Sequence, residues 1–133
     1  MGTSVVDLYL SPSCTSCRKA RVWLERHNVP YTEHNILTQP MTTEDLREIL
    51  SKTENGTEDI ISIRSKIFQK LAIDLDELTM NELIELITQY PNLLRRPIIK
   101  DKQLLQIGFN EDEIRAFLPR TYRRAEMQRA VND

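Results

Sequence analysis

The junction between the first strand-like segment and the first helix-like segment constrains this chain most. Val5 to Leu10 is a β-branched and aromatic run that stops at Ser11-Pro12, which is how a strand and its end are written. Cys14 to about Asn28 then carries Ala20, Trp23, Leu24 and His27 at helical spacing. Pro30 to Ile36 reads as a second strand. Strand, helix and strand in such close succession predict a parallel pair joined by a right-handed crossover. Both cysteines of the chain, Cys14 and Cys17, fall where the first strand turns into the helix.

The rest of the chain is punctuated as clearly. Thr42 is a candidate N-cap for a helix with Leu46, Ile49 and Leu50 on one face, stopping near Asn55-Gly56, where the glycine reads as a C-cap. Ile60 to Leu71 predicts one or two short helices. Thr79-Met-Asn-Glu82 has the form of a capping box, and Met80, Leu83, Ile87 and Tyr90 continue as a stripe up to Pro91. Arg96-Pro97 precedes a short strand, Ile98-Ile99. Asp101-Lys102-Gln103 is a turn, and Leu104 to Gly108 is the returning strand of a hairpin. Asn110 caps a last helix with Ile114, Phe117 and Leu118, which ends at Pro119.

The order β-α-β, helical insert, β-β-α predicts an α/β protein with a thioredoxin-like core. The 133 residues make one domain. The core spans about 1–40 and 94–118, a helical lobe spans about 41–93, and a basic tail occupies 119–133, with Arg120, Arg123, Arg124 and Arg129. A monomer is expected.

Charge limits the function. The formal net charge is −2, whereas neutralising phosphates drives nucleic-acid affinity, so the chain is not expected to bind DNA alone. Acidic stretches at 42–59 and 74–85 alternate with the basic groups Arg64, Lys66 and Lys70, and Arg95, Arg96, Lys100 and Lys102. Such alternation reads first as solvated surface. No apolar run approaches the ~20 residues of a membrane span, and no signal-peptide apolar region leads the chain, so a cytoplasmic protein off the membrane is expected.

Cys14-Thr-Ser-Cys17 admits three readings: a catalytic dithiol, half of a metal site, or a switch. Thiolate is the reactive form, and a helix N-terminus with nearby cations favours it. Cys14 sits at the helix start, with Arg18, Lys19 and Arg21 in the next two turns. Cys17, three residues on, lies on the same face and can resolve an oxidised Cys14 as a disulfide. A zinc site needs four ligands, and beyond the cysteines only His27, His34 and carboxylates are on offer, so neither metal nor cofactor is expected. The bland alternative is an inert buried pair.

Four blocks in order carry a resemblance: S-P-S-C-T-S-C-R-K-A-R-x-W-L, N-G-T-E-D-I-I-S-x-R-S-K, L-L-R-R-P-I-I and G-F-N-E-D-E-I-R-x-F-L-P-R. Together, over about residues 5–124, they resemble the Spx proteins, redox-responsive global transcription regulators of low-GC Gram-positive bacteria related to arsenate reductases. The resemblance implies a non-enzymatic regulator of the thiol-stress response. Such a protein binds the C-terminal domain of the RNA polymerase α subunit, activates thiol-homeostasis genes and blocks other activators. It implies a Cys14–Cys17 disulfide switch, Arg96 as the residue that responds to it, and Gly56 on the α-subunit contact surface. Arg64 and Lys66 correspond to residues placed to touch promoter DNA, a contact made only within the polymerase complex. In these folds a cis proline faces the dithiol, which implies that Arg96 approaches Cys14.

The resemblance further implies turnover by an ATP-dependent protease and its adaptor, which read a tail ending in small or apolar residues. This chain departs from that pattern by ending Asn132-Asp133, and it carries a few extra residues before the first strand.

The competing reading is an enzyme, either an arsenate reductase or a thiol-disulfide oxidoreductase. The reductase needs one nucleophilic cysteine and several arginines around the oxyanion. Arg64 and Arg96 fit two of those positions. The segment Leu104 to Gly108, where the reductases carry a third, has no arginine.

Overall fold

The computed structural model describes residues 5–118. Four strands form one mixed sheet in the order β2-β1-β3-β4: β1 is Val6–Leu10, β2 Tyr31–Asn35, β3 Ile98–Lys100 and β4 Leu105–Ile107. β1 pairs in parallel with β2, from Val6 opposite Tyr31 to Leu10 opposite Asn35. β3 runs antiparallel to both β1 and β4. The hairpin between β3 and β4 closes on an Asx turn, in which the Asp101 carboxylate accepts from the amides of Gln103 and Leu104.

The pleat of β1 divides the interior in two. Val6, Leu8 and Leu10 point to one face, where they meet α1 (Thr15–Arg26) through Cys17, Ala20, Trp23 and Leu24, together with Ile114, Phe117 and Leu118. Tyr9 points to the other face and joins a second cluster with Leu46, Ile49, Ile60, Leu83, Ile87 and Ile98. That cluster is the floor of the helical lobe: α2 (Thr43–Ser51), α3 (Thr57–Ile60), α4 (Lys66–Leu71) and α5 (Met80–Gln89). This is the thioredoxin-like arrangement the element order predicts.

The caps fall where the sequence puts them. The Thr42 hydroxyl accepts from the Asp45 amide, and Thr79 and Glu82 bond each other's backbone reciprocally at the start of α5. Three expectations are corrected. α2 ends at Ser51, capped by Lys52, so Gly56 is not its C-cap. Gly56 instead starts α3, at φ +71° and ψ −135°, a conformation that favours glycine. The segment after Asn110 is a 3₁₀ turn, Glu113–Phe117, rather than an α-helix, although Asn110 caps it through the amides of Asp112 and Glu113.

The third correction concerns Lys100. It is not solvated surface but 3% exposed, with Nζ 3.0 Å from Asp7 and 3.1 Å from Glu48. It therefore joins the central strand to α2 of the lobe. His34 Nε2 donates to the same Asp7 at 2.8 Å, and its ring stacks on Tyr9. Burial raises the Asp7 pKa, but the bonds and charges of His34 and Lys100 outweigh it and hold the carboxyl below its ordinary value. Residues 119–133, where the basic tail is expected, lie outside the described residues.

Candidate functional site

Pro12 ends β1, and the chain turns directly into α1 with Cys14 as its N-cap. The Cys14 sulfur takes the place of the usual hydroxyl or carboxylate and accepts from the Cys17 amide at 3.2 Å. Both thiols are free. Cys14 is half-buried, while Cys17 lies one turn on and is 1% exposed. Burial, and then the hydrogen bond with Cys14, push the Cys17 thiol from an ordinary 9.0 up to about 12. Chemically this is an accessible sulfur at a helix start, backed by a protonated, protected partner. Were Cys14 oxidised to a sulfenic acid, the Cys17 sulfur, one turn on, would attack the Cys14 sulfur and expel hydroxide, closing a disulfide.

Of the cations expected near the dithiol, Arg96 lines the Cys14 pocket, whereas the basic residues of α1 are directed elsewhere. Arg21 is engaged with Glu33 at 3.2 Å, and Arg18 and Lys19 line a different groove along α1. The pocket at Cys14, about 320 Å³, is instead lined by Arg95 and Arg96, with Ser62, Leu94, Ile107 and Gly108. The Arg96-Pro97 peptide is cis. Arg96 reaches across the sheet end to the buried Ser11 hydroxyl at 2.6 Å, and to Asn92 at 3.3 Å. It thereby holds the residue whose carbonyl accepts from the Cys14 amide. Sequence reasoning missed Arg95, Ser11 and Asn92. Arg95 lay in the quoted Leu-Leu-Arg-Arg-Pro block, but nothing in its spacing marks it as facing the thiol.

Arg64 and Lys66 are exposed, at the end of the loop after α3 and at the start of α4, and Arg64 does not line the Cys14 pocket. Of the two arginines the reductase reading assigns, Arg96 lines the pocket and Arg64 does not, and the hairpin residues facing it are Ile107 and Gly108. The loop is nevertheless tied to the dithiol region. Ile61 bridges Leu94, the Ser62 amide donates to Leu93, and the Arg95 amide donates to Ile60. Residues 60–62 are thus zipped to 93–95, directly before Arg96.

Gly56 lies at the far end of the same segment. Its amide donates to the Thr53 hydroxyl, and Asp59 accepts from the amides of Glu54 and Asn55. A side chain added at Gly56 would meet nothing within 4 Å. The turn is fixed from inside and open outside.

His27 stacks on Trp23 and bonds its carbonyl, and His34 belongs to the Asp7 network. Among the described residues no three His, Cys, Asp or Glu side chains converge on a possible metal position. No described helix is long and apolar enough to cross a membrane.

Fold and dithiol together define the arsenate reductase-like class: the ArsC family profile matches residues 9–117. The arsenate reductase of Vibrio cholerae superposes with a TM-score of 0.74 over 88% of this chain and all of that one, at 18% identity, a likeness of fold. Within the class, the global transcriptional regulator Spx 1 of Lactococcus lactis is 75% identical over 96% of this chain and 100% of its own length. The regulator Spx of Streptococcus pneumoniae R6 is 65% identical over 95% of each. The chain belongs to the Spx-type regulators of this ArsC family.

Proposed function

We propose that this protein is a redox-controlled global transcription regulator that acts on RNA polymerase rather than on a small substrate. It docks through the Gly56 turn onto the C-terminal domain of the α subunit. The observation that carries this reading is the pairing of an N-cap thiol, Cys14, with a buried second thiol, Cys17, beside a pocket that Arg96 lines but Arg64 does not, and to which the hairpin brings Ile107 and Gly108 rather than an arginine. The same pocket contains Arg96, which bonds the loop leading into Cys14.

Oxidation joins Cys14 to Cys17 and removes the sulfur acceptor that caps α1. Arg96 responds, and the change passes through the 60–62 to 93–95 zipper to Arg64 and Lys66. With the α domain already holding DNA, these two cations add promoter contacts as an effectively intramolecular step. This reconciles DNA contact with a net charge of −2. The output is activation of thiol-homeostasis genes and interference with other activators, in the cytoplasm, with protein levels set by an ATP-dependent protease and its adaptor.

Calorimetric titration of wild type and Gly56→Arg into the isolated α C-terminal domain tests the docking surface. Wild type binds. Gly56→Arg, verified as folded by circular dichroism, gives no detectable heat. Equal binding by a folded Gly56→Arg would remove the turn from the interface. Turnover of arsenate at useful rates by wild type would favour the enzyme reading instead.

A further inference from the structure

The opposite side of the molecule carries a second feature that the dithiol and the lobe do not use. A groove of about 440 Å³ runs along α1. Its floor is Trp23 stacked on His27, with Phe109 and the 43%-exposed Val22 beside it. Its rim is Arg18, Lys19 and Arg26, against one acid, Glu111. The other basic residue of the helix, Arg21, is held by Glu33, and the neighbouring Glu25 accepts from Tyr31. None of the three rim cations has an ion-pair partner among the described residues. An apolar floor with an unpaired cationic rim, on a chain of net charge −2, is a local reversal of sign.

We propose that this groove is a docking surface for an acidic amphipathic segment of a partner protein, one that sets apolar side chains on Val22, Trp23 and Phe109 and carboxylates on Arg18 and Arg26. Spacing selects a segment over a small anion. At 1.5 Å per residue, Arg18 and Arg26 lie ~12 Å apart along the helix axis, too far for one phosphate or carboxylate to bridge. Carboxylates two turns apart on a helix, with leucines between them, match it. The chain's own residues 119–133 have the wrong sign, with Arg120, Arg123, Arg124 and Arg129 against Glu126 and Asp133.

Position gives the surface its use. The groove lies on the α1 face of the sheet, whereas Gly56, Arg64 and Lys66 belong to the lobe on the other face. Both can be occupied together. The protein is then a two-sided adaptor, gripping the polymerase with one face and a second acidic protein with the other.

Trp23 is the chain's one tryptophan and lies in the groove, so binding has an intrinsic reporter. The probe is a synthetic helical peptide of about four turns, with glutamates spaced to meet Arg18 and Arg26 and leucines between. It is titrated against full-length protein at low salt while Trp23 emission is followed. The expected result is a saturable emission change that weakens as salt rises, and at least about tenfold weaker binding to Arg18→Glu/Arg26→Glu. A peptide with lysines in place of the glutamates should bind that reversed variant and not wild type. The reversed variant should still bind the α C-terminal domain.

Four results would each overturn the proposal. They are no emission change at low salt, equal binding by wild type and the reversed variant, release of the peptide by phosphate alone at matched ionic strength, and loss of α-domain binding in the reversed variant. Concentration-dependent self-association abolished by Arg18→Glu/Arg26→Glu would assign the groove to a second copy and equally refute it.

Discussion

Lys100→Met tests how the helical lobe is held to the sheet. Lys100 is 3% exposed and pairs with Asp7, which is 29% exposed, and with Glu48, which is 41% exposed. Removing one member of a fully buried pair costs 3–5 kcal/mol, whereas an exposed pair contributes about 0–1. Here the ammonium is dry and both carboxylates touch water, so water can take its place at the acids. Methionine fills the volume without a desolvation penalty. The cost at pH 7 should therefore be about 2 kcal/mol, between the two limits.

The cost must also depend on pH. The Asp7 carboxyl titrates below its ordinary 3.8 in the folded chain. A depressed carboxyl stabilises the fold above the unfolded value and loses that contribution as pH falls through the folded one. The gap between wild type and Lys100→Met should thus begin to narrow as pH falls below about 4 and go on narrowing as pH falls through the lowered folded value of Asp7. Urea unfolding followed by Trp23 emission measures it. A variant as stable as wild type at pH 7, or a cost that does not shrink as pH falls below about 4, would show that this ion pair does not hold the lobe.

Other outcomes follow from single contacts. Thr79→Ala removes the capping box of α5 and should cost about 1 kcal/mol in the same unfolding assay, with Glu82→Ala costing less. Arg96→Ala should leave α-domain binding in the reduced state within about threefold of wild type while abolishing the difference between redox states, read by calorimetry. The Cys17 thiol, raised to about 12 in the fold, contributes stability that is complete below pH 9 and lost as pH rises toward 12. Cys17→Ala should therefore show a flatter decline of stability above pH 9 than wild type.

Local signals in the sequence were enough for the scaffold. The Thr42 and Thr79 caps and the Asp101 turn each bond neighbours within a few residues, and β1 is marked by its β-branched and aromatic run, so propensity and spacing place them correctly. Gly56 misled because glycine marks both the end of one helix and the start of another, and the two are told apart only by where the ladder of α2 stops. Lys100 misled because its partners, Asp7 and Glu48, are 93 and 52 residues away and meet it only through the sheet.

At the site, Cys14 and Cys17 were legible because three residues of helix fix their relation. Arg96 was placed near Cys14 only by the resemblance, since sheet topology is what brings it to Ser11, and the basic residues along α1 misled because they radiate around its axis. The groove along α1 was invisible for the same reason, since Phe109 and Glu111 join it from the end of the hairpin.

The most direct test of redox-controlled docking is titration into the α C-terminal domain once with Cys14 and Cys17 reduced and once with the disulfide formed. Regulation through the switch predicts binding, together with a difference between the two states in affinity or in promoter occupancy by the full complex, each tenfold in affinity being ~1.4 kcal/mol. Absence of binding in both states would contradict it and return Cys14 to the role of a catalytic nucleophile.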